Sequence, residues 1–241
     1  MKFFLAPMQG LTGYTVRNAF HHHFDYIDKY YTPFIPAAKR MNAKIKRDID
    51  PINNDGITLI PQAMSIVADE VIDLHRQLVP YGYDEINVNL GCPSGTVVSK
   101  KRGSGILAYP DMLDSFLDEL YTKADFPVSI KTRVGFNDDE LWPRLIEIYS
   151  KYPISELTVH PRVQKDFYKN TPRMDDFALA IQKINPDKTI LCYNGDITDT
   201  NSFNALTVMP VGSVFMLSKL SVHPAAITPN KHAMPDRKSV V

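Results

Sequence analysis

The chain is poor in cysteine. It has two, Cys92 and Cys192, a hundred residues apart. That excludes a disulfide framework and a paired-cysteine zinc site, and fits a reducing cytoplasm. It has no excess of either charge. Lys+Arg and Asp+Glu both number 27, which excludes a strongly cationic nucleic-acid protein at the whole-chain level while leaving room for local basic patches. It has no apolar run near the roughly 18 residues a membrane helix needs. Met1-Lys2-Phe3-Phe4-Leu5-Ala6 runs into Pro7 instead of extending into a signal-peptide core. The expectation is a cytoplasmic protein without a membrane or export segment. No Gly-x-Gly-x-x-Gly follows the first apolar run, which argues against a dinucleotide-binding open sheet.

What is present is a regular alternation. Short β-rich apolar runs occur at 3–6, 24–30, 57–60, 85–90, 128–131, 156–159, 189–193 and 213–217. Between them lie helical periods. Val67, Val71, Leu74 and Leu78 share one face, and Leu113, Phe116, Leu117 and Leu120 another. A third helix is expected after Asp138 as N-cap, with Leu141, Leu145 and Ile148 inward. Eight strands alternating with helices in one domain of 241 residues predict an α/β fold, a (β/α)8 TIM barrel.

In such a barrel the chemistry sits at the carboxyl ends of the strands. Here those ends are polar: Gln62, Asn89, Cys92, Lys131, His160 and Asn194 stand at or just beyond the ends of five different runs. Any one of them is unremarkable as a loop residue. Converging, they offer amides, an imidazole, a cation and a thiol, a set suited to a planar heterocycle.

These segments resemble the tRNA-dihydrouridine synthases, FMN-dependent barrel enzymes that reduce uridines in tRNA. The resemblance is carried by Ala6-Pro7-Met8-Gln9-Gly10-Leu11-Thr12 with Arg17, by Gln62, by Asn87-Val88-Asn89-Leu90-Gly91-Cys92-Pro93 and by Gly103-Ser104-Gly105. Ile130-Lys131-Thr132-Arg133, Thr158-Val159-His160-Pro161-Arg162 and Asn194-Gly195-Asp196-Ile197 complete it, over roughly residues 1–217. It implies that Pro7, Met8, Gln62, Lys131, His160, Asn194, Gly195 and Asp196 surround FMN, that NADPH is the electron donor, and that Cys92 is the catalytic cysteine.

The residues are compatible with those roles. A thiol is mostly protonated at neutral pH and can give a proton to C5 of uracil while a hydride reaches C6. Lys131 can stabilise the anionic edge of a reduced flavin. Asn89, Arg133 and Arg162 are candidates for uracil or phosphate contacts. Lys100, Lys101 and Arg102, the group Lys39, Arg40, Lys44, Lys46 and Arg47, and the group Arg162, Lys165, Lys169 and Arg173 are candidate RNA contacts. Tyr30, Tyr31 and Phe34 could stack on an extruded base or simply pack. Cys192, inside a strand, reads as structural. His21-His22-His23 points three ways from a helix, so no metal is expected.

The family's pattern fails at the end of the chain. Its strand eight is followed by a Gly-Arg-Gly turn, where this chain has Ser218-Lys219-Leu220, and His223-Pro224-Ala225 stands near the family's Asn-Pro-Ala. Only 24 residues follow Leu217, with Pro224, Pro229 and Pro235 among them. The expectation is a catalytic barrel over 1–217 with a short, irregular eighth unit and a diverged tail over 218–241, acting as a monomer. Two alternatives stay open: a catalytically impaired barrel that still binds flavin or RNA, and a flavin enzyme acting on a free pyrimidine.

Overall fold

Residues 1–38, 40–207 and 214–217 are described in the computed structural model of the chain. Its strands are β1 (Lys2–Leu5), β2 (Ile27–Tyr31), β3 (Ile35–Pro36), β4 (Leu59–Ile60), β5 (Gln62–Met64), β6 (Ile86–Leu90), β7 (Val128–Gly135), β8 (Glu156–Val163), β9 (Ile190–Tyr193) and β10 (Val214–Leu217). Its helices are α1 (Tyr14–His23), α2 (Ala43–Ile49), α3 (Ala68–Leu78), α4 (Gly95–Val98), α5 (Pro110–Lys123), α6 (Trp142–Ser150), α7 (Met174–Lys183) and α8 (Thr200–Thr207). Lys39, Ser218, Lys219 and 223–225 lie outside the described residues.

Every strand pairing among the described residues is parallel. β4 and β5 are halves of one strand, divided by Pro61, which has no N–H to give to a ladder. Its carbonyl still accepts from Asn87 N at 2.9 Å. The first half pairs with β2 and the second with β6, so the ring closes. Eight strands form the barrel, as expected from the sequence. The third runs past its predicted end to Met64, and β3 is a short addition beside β5. Among the described residues the seam between β9 and β10 is thin, with one register pair, Phe215 to Tyr193.

The helices cover the outside. α3 buries Val71, Leu74 and Leu78, with Asp69 and Glu70 in its first turn, and α5 buries Leu113, Phe116, Leu117 and Leu120. These side chains join the outer face of the sheet in the main core. Each large apolar residue buried there stabilises the fold by about 1.5–3 kcal/mol. α6 starts later than the sequence suggested. Asp138 lies in the preceding turn, where its carboxylate accepts from Glu140 N, and Leu141 becomes an exposed cap. Trp142 takes the buried place and donates Nε1 to the Asp176 carbonyl at 2.8 Å. Tyr30 and Tyr31 are packed away, because adjacent strand residues point to opposite faces. Tyr30 enters the outer core, and Tyr31 enters the barrel, where its hydroxyl donates to Glu156.

The barrel interior is divided. Phe4, Ala6, Tyr31, Ile60, Cys192, Val214 and Met216 form an apolar half. The opposite half is polar, because β5 to β8 carry amides, hydroxyls and charges at alternate positions. Register aligns Gln62 with Asn87, then Asn89 with Lys131, Thr158 and Cys192, then Arg133 with His160.

Candidate active site

At the carboxyl-terminal mouth of the barrel lies a cavity of about 500 Å³. Pro7 and Met8 border it beyond β1, Gln62 on β5, Asn89 and Cys92 at the end of β6, Lys131 and Arg133 on β7, His160 on β8, and Asn194 after β9. Nine predicted site residues from six barrel strands and the segments that follow them therefore share one cleft. Alternation of strand side chains explains it: 89, 131, 133 and 160 all sit at inward positions.

The buried amides are connected in one direction. Gly91 N and Cys92 N donate to Asn89 Oδ1 at 3.1 and 2.9 Å. Asn89 Nδ2 donates to Gln62 Oε1 and Gln62 Nε2 to Asn87 Oδ1, both at 2.7 Å, and Asn87 Nδ2 donates to Ser129 Oγ at 3.0 Å. Burying this many polar groups is tolerable only because they pair. Gln62 keeps one N–H and one lone pair unused by these bonds.

Two cations, Lys131 and Arg133, line the cleft, and a third, Arg162, stands behind it. Among the described residues no carboxylate pairs with Lys131. Burial first, and Arg133 second, push its ammonium down to about 7. Arg133 is spent on carbonyls: Nε donates to Gly91 O at 2.9 Å, Nη1 to Val163 O at 3.0 Å and Nη2 to Phe167 O at 2.8 Å, with the guanidinium over the Tyr168 ring. It thus clamps the Cys92 loop to the segment after β8. Arg162 is fully buried and grips Asp196 with both Nη atoms, at 3.1 and 2.6 Å, while Nε donates to Asn170 O.

Arg162 Nη1 also lies 3.0 Å from His160 Nε2. A guanidinium can only donate, so Nε2 accepts and the ring proton sits on Nδ1. Burial, with Lys131, Arg133 and Arg162 adding to it, holds the imidazole well below its usual range. His160 is therefore a neutral donor. Lys131 and Arg133 bring positive charge to the cleft wall, where it would face an anionic ring edge.

Cys92 is half-buried at the rim of the cleft, next to the Gly91 carbonyl that Arg133 holds. Its carbonyl accepts from Ser104 N and Ser104 Oγ, at 3.1 and 2.9 Å. Gly103, at φ +54°, passes so close that a Cβ there would meet the Cys92 carbonyl oxygen at 2.7 Å. A glycine is required by both the turn and the contact.

Not every predicted residue reaches the cleft. Gly195 and Asp196 stand behind it. A side chain at Gly195 would strike the Tyr193 hydroxyl at 2.0 Å, and Asp196 faces Arg162. Asn194 reaches the cleft but spends its amide on the thin seam, donating to Met216 O at 2.8 Å. Lys100 and Lys101 are exposed on the outer part of the Cys92 loop, with Lys101 over Tyr109, and Arg102 pairs with Glu70 at 3.2 Å. Arg173 is held by Asp139 and Asp166, leaving Lys165 and Lys169 exposed in that group. Sequence reasoning missed Tyr168, an exposed wall residue in an irregular loop with no periodic signal. It also missed Glu156, buried inside the barrel with Lys29, Tyr31 and Thr158 around it. Among the described residues no group of three or more His, Cys, Asp or Glu side chains could hold a metal, and no helix is long and apolar enough to cross a membrane.

The donor set fits a flavin ring: a flat amide edge at Gln62, an unpaired ammonium at Lys131, an Nδ1–H at His160, and apolar surface from Ala6, Pro7, Met8 and Pro93. The backbone around the end of β10 falls partly outside the described residues.

Comparison with known proteins agrees with this architecture. A solved structure titled "Crystal Structure of Citrate Synthase SbnG" superposes with a TM-score of 0.52 over 90% of this chain and 86% of that one, at 11% identity, a likeness of fold alone. The tRNA-dihydrouridine synthase B of Shigella flexneri is 31% identical over 149 residues, 61% of this chain and 45% of that protein. The tRNA-dihydrouridine synthase B of Escherichia coli K12 is 31% identical over 131 residues, 54% of this chain and 40% of that protein. The aligned part of this chain spans less than half the length of either relative. The dihydrouridine synthase family model matches residues 4–216, nearly the whole barrel and every wall of the cleft. The chain belongs to the dihydrouridine synthase family.

Proposed function

We propose that this chain reduces the C5=C6 bond of uridines in tRNA, using FMN held at the barrel mouth and NADPH as electron donor. The observation that carries the reading is one cleft lined by Gln62, Lys131, His160 and Cys92 together, in a chain of this family. Gln62 and His160 orient the ring through the N–H groups and lone pair they keep free, and Lys131 neutralises negative charge on it. Bound and reduced, the flavin supplies a hydride to C6 of the uracil. The Cys92 thiol gives its proton to C5 and recovers one from solvent, so one hydride and one proton complete the saturated ring. Arg133 and Asn89 position the thiol by fixing Gly91 and the amides of its loop. Asp196 and Arg162 act behind the cleft by holding His160 in its neutral, Nδ1-protonated form.

The test is direct. Purified protein reconstituted with FMN should carry a flavin spectrum and form dihydrouridine in unmodified tRNA when NADPH is added. Cys92→Ala should keep the flavin and lose most product, at least about a hundredfold, the usual scale of a positioned proton donor. Failure to take up FMN points to the impaired barrel. Reduction of free uracil in preference to tRNA points to the free-pyrimidine enzyme.

A further inference from the structure

The cleft does not end at its own rim. A second groove, of about 560 Å³, runs between the loop after β1 and helix α2. Gln9, Leu11 and Phe34 line both spaces, so the two are continuous along one wall. The groove's floor is apolar, with Val16, Ile45 and Ile49 beside Phe34. Its edge is cationic. Lys44 and Arg47 are exposed, and among the described residues neither joins an ion pair. Among the described residues the one carboxylate in the lining, Asp48, accepts from Tyr14 N and from buried Arg17, so its charge is matched from within.

An aromatic platform beside unpaired cations is the combination that holds an unstacked nucleotide, base on the ring and phosphates on the charges. Continuity with the cleft sets which nucleotide. We infer that this groove takes the nucleotide adjacent to the uridine in the barrel mouth, its base lying on Phe34 and Leu11 and its phosphates meeting Lys44 and Arg47. The inference rests on the tRNA reading above and adds the direction in which the strand leaves the site.

The assay is binding, measured by fluorescence anisotropy on the full chain loaded with FMN. The probe is a short fluorescein-labelled single-stranded RNA with one central uridine. Lys44→Ala/Arg47→Ala should weaken binding at least about fivefold and flatten the salt dependence by about 1.4 in log–log slope, about 0.7 per charge removed. Making the nucleotide on one side of the uridine abasic should weaken wild-type binding at least about fivefold. That penalty should vanish in Phe34→Ala and return in Phe34→Tyr. Wild-type protein that binds no RNA would end the tRNA reading itself. Normal RNA binding with no penalty for either abasic neighbour, or an unchanged salt slope in the double variant, would overturn the groove assignment and leave that reading standing. A raised KM for NADPH with unchanged RNA affinity would give the groove to the electron donor and equally overturn it.

Discussion

Replacing Lys131 by methionine should make the flavin-free protein more stable, and the gain should depend on pH. The ammonium is buried against Arg133 without a carboxylate partner among the described residues, which lowers it from 10.5 to about 7. At about 1.36 kcal/mol per pH unit, that span comes to roughly 5 kcal/mol of opposition to folding. The amine reaches the cleft, so entering water screens it and leaves roughly 2 kcal/mol as the working figure. Below pH 7 Lys131 is protonated in both folded and unfolded chains, and the whole penalty is present. Between about pH 7 and 10.5 only the unfolded chain holds the proton, so the penalty shrinks as pH rises and disappears above that range. Urea unfolding of wild type and Lys131→Met near pH 6 and near pH 9 measures it. The variant should be the more stable by roughly 2 kcal/mol near pH 6, by clearly less near pH 9, and should retain FMN poorly. A gain equal at both pH values, or a loss at both, would refute the reasoning.

Three other perturbations follow from particular contacts. Gly103→Ala forces a Cβ against the Cys92 carbonyl at a left-handed φ, and should cost about 1–3 kcal/mol in thermal unfolding while lowering turnover more than flavin affinity. Arg162→Met removes a positive neighbour and the donor to Nε2. The His160 imidazole should then titrate at higher pH, read from its ring resonances by NMR, and its two ring nitrogens should no longer be locked in one tautomer. Asn194→Ala leaves the Met216 carbonyl without its side-chain donor across the thin β9–β10 seam, and should cost about 1–3 kcal/mol with faster amide exchange in both strands.

All eight barrel strands were legible because each is a short apolar run between helical periods, and their polar ends named most of the cleft. The remainder depended on facts that only three-dimensional packing supplies. Tyr30 and Tyr31 look equivalent in the sequence, yet pleating sends one outward and the other into the barrel. Arg162 looked available for a ligand, but Asp196, thirty-four residues on, had already claimed it. Leu141 fitted a helical period that begins one residue after it. Phe34 differs from its aromatic neighbours by standing on the wall shared by two spaces, a position no sequence pattern marks. The resemblance to the family holds over residues 4–216, whereas the expected strand-eight turn and the tail fall outside the described residues.

The amide run from the Cys92 loop to Ser129 begins at two backbone N–H groups, which can never accept. Every later amide is thereby fixed: Asn89 must turn its oxygen to the loop, Gln62 its oxygen to Asn89, and Asn87 its oxygen to Gln62. None can flip alone without setting donor against donor. The polarity of one peptide segment is thus transmitted through three side chains, and it dictates the hydrogen-bonding edge that Gln62 shows before any guest arrives. A heterocycle with its donor and acceptor transposed would meet a mismatched partner that has no freedom to turn.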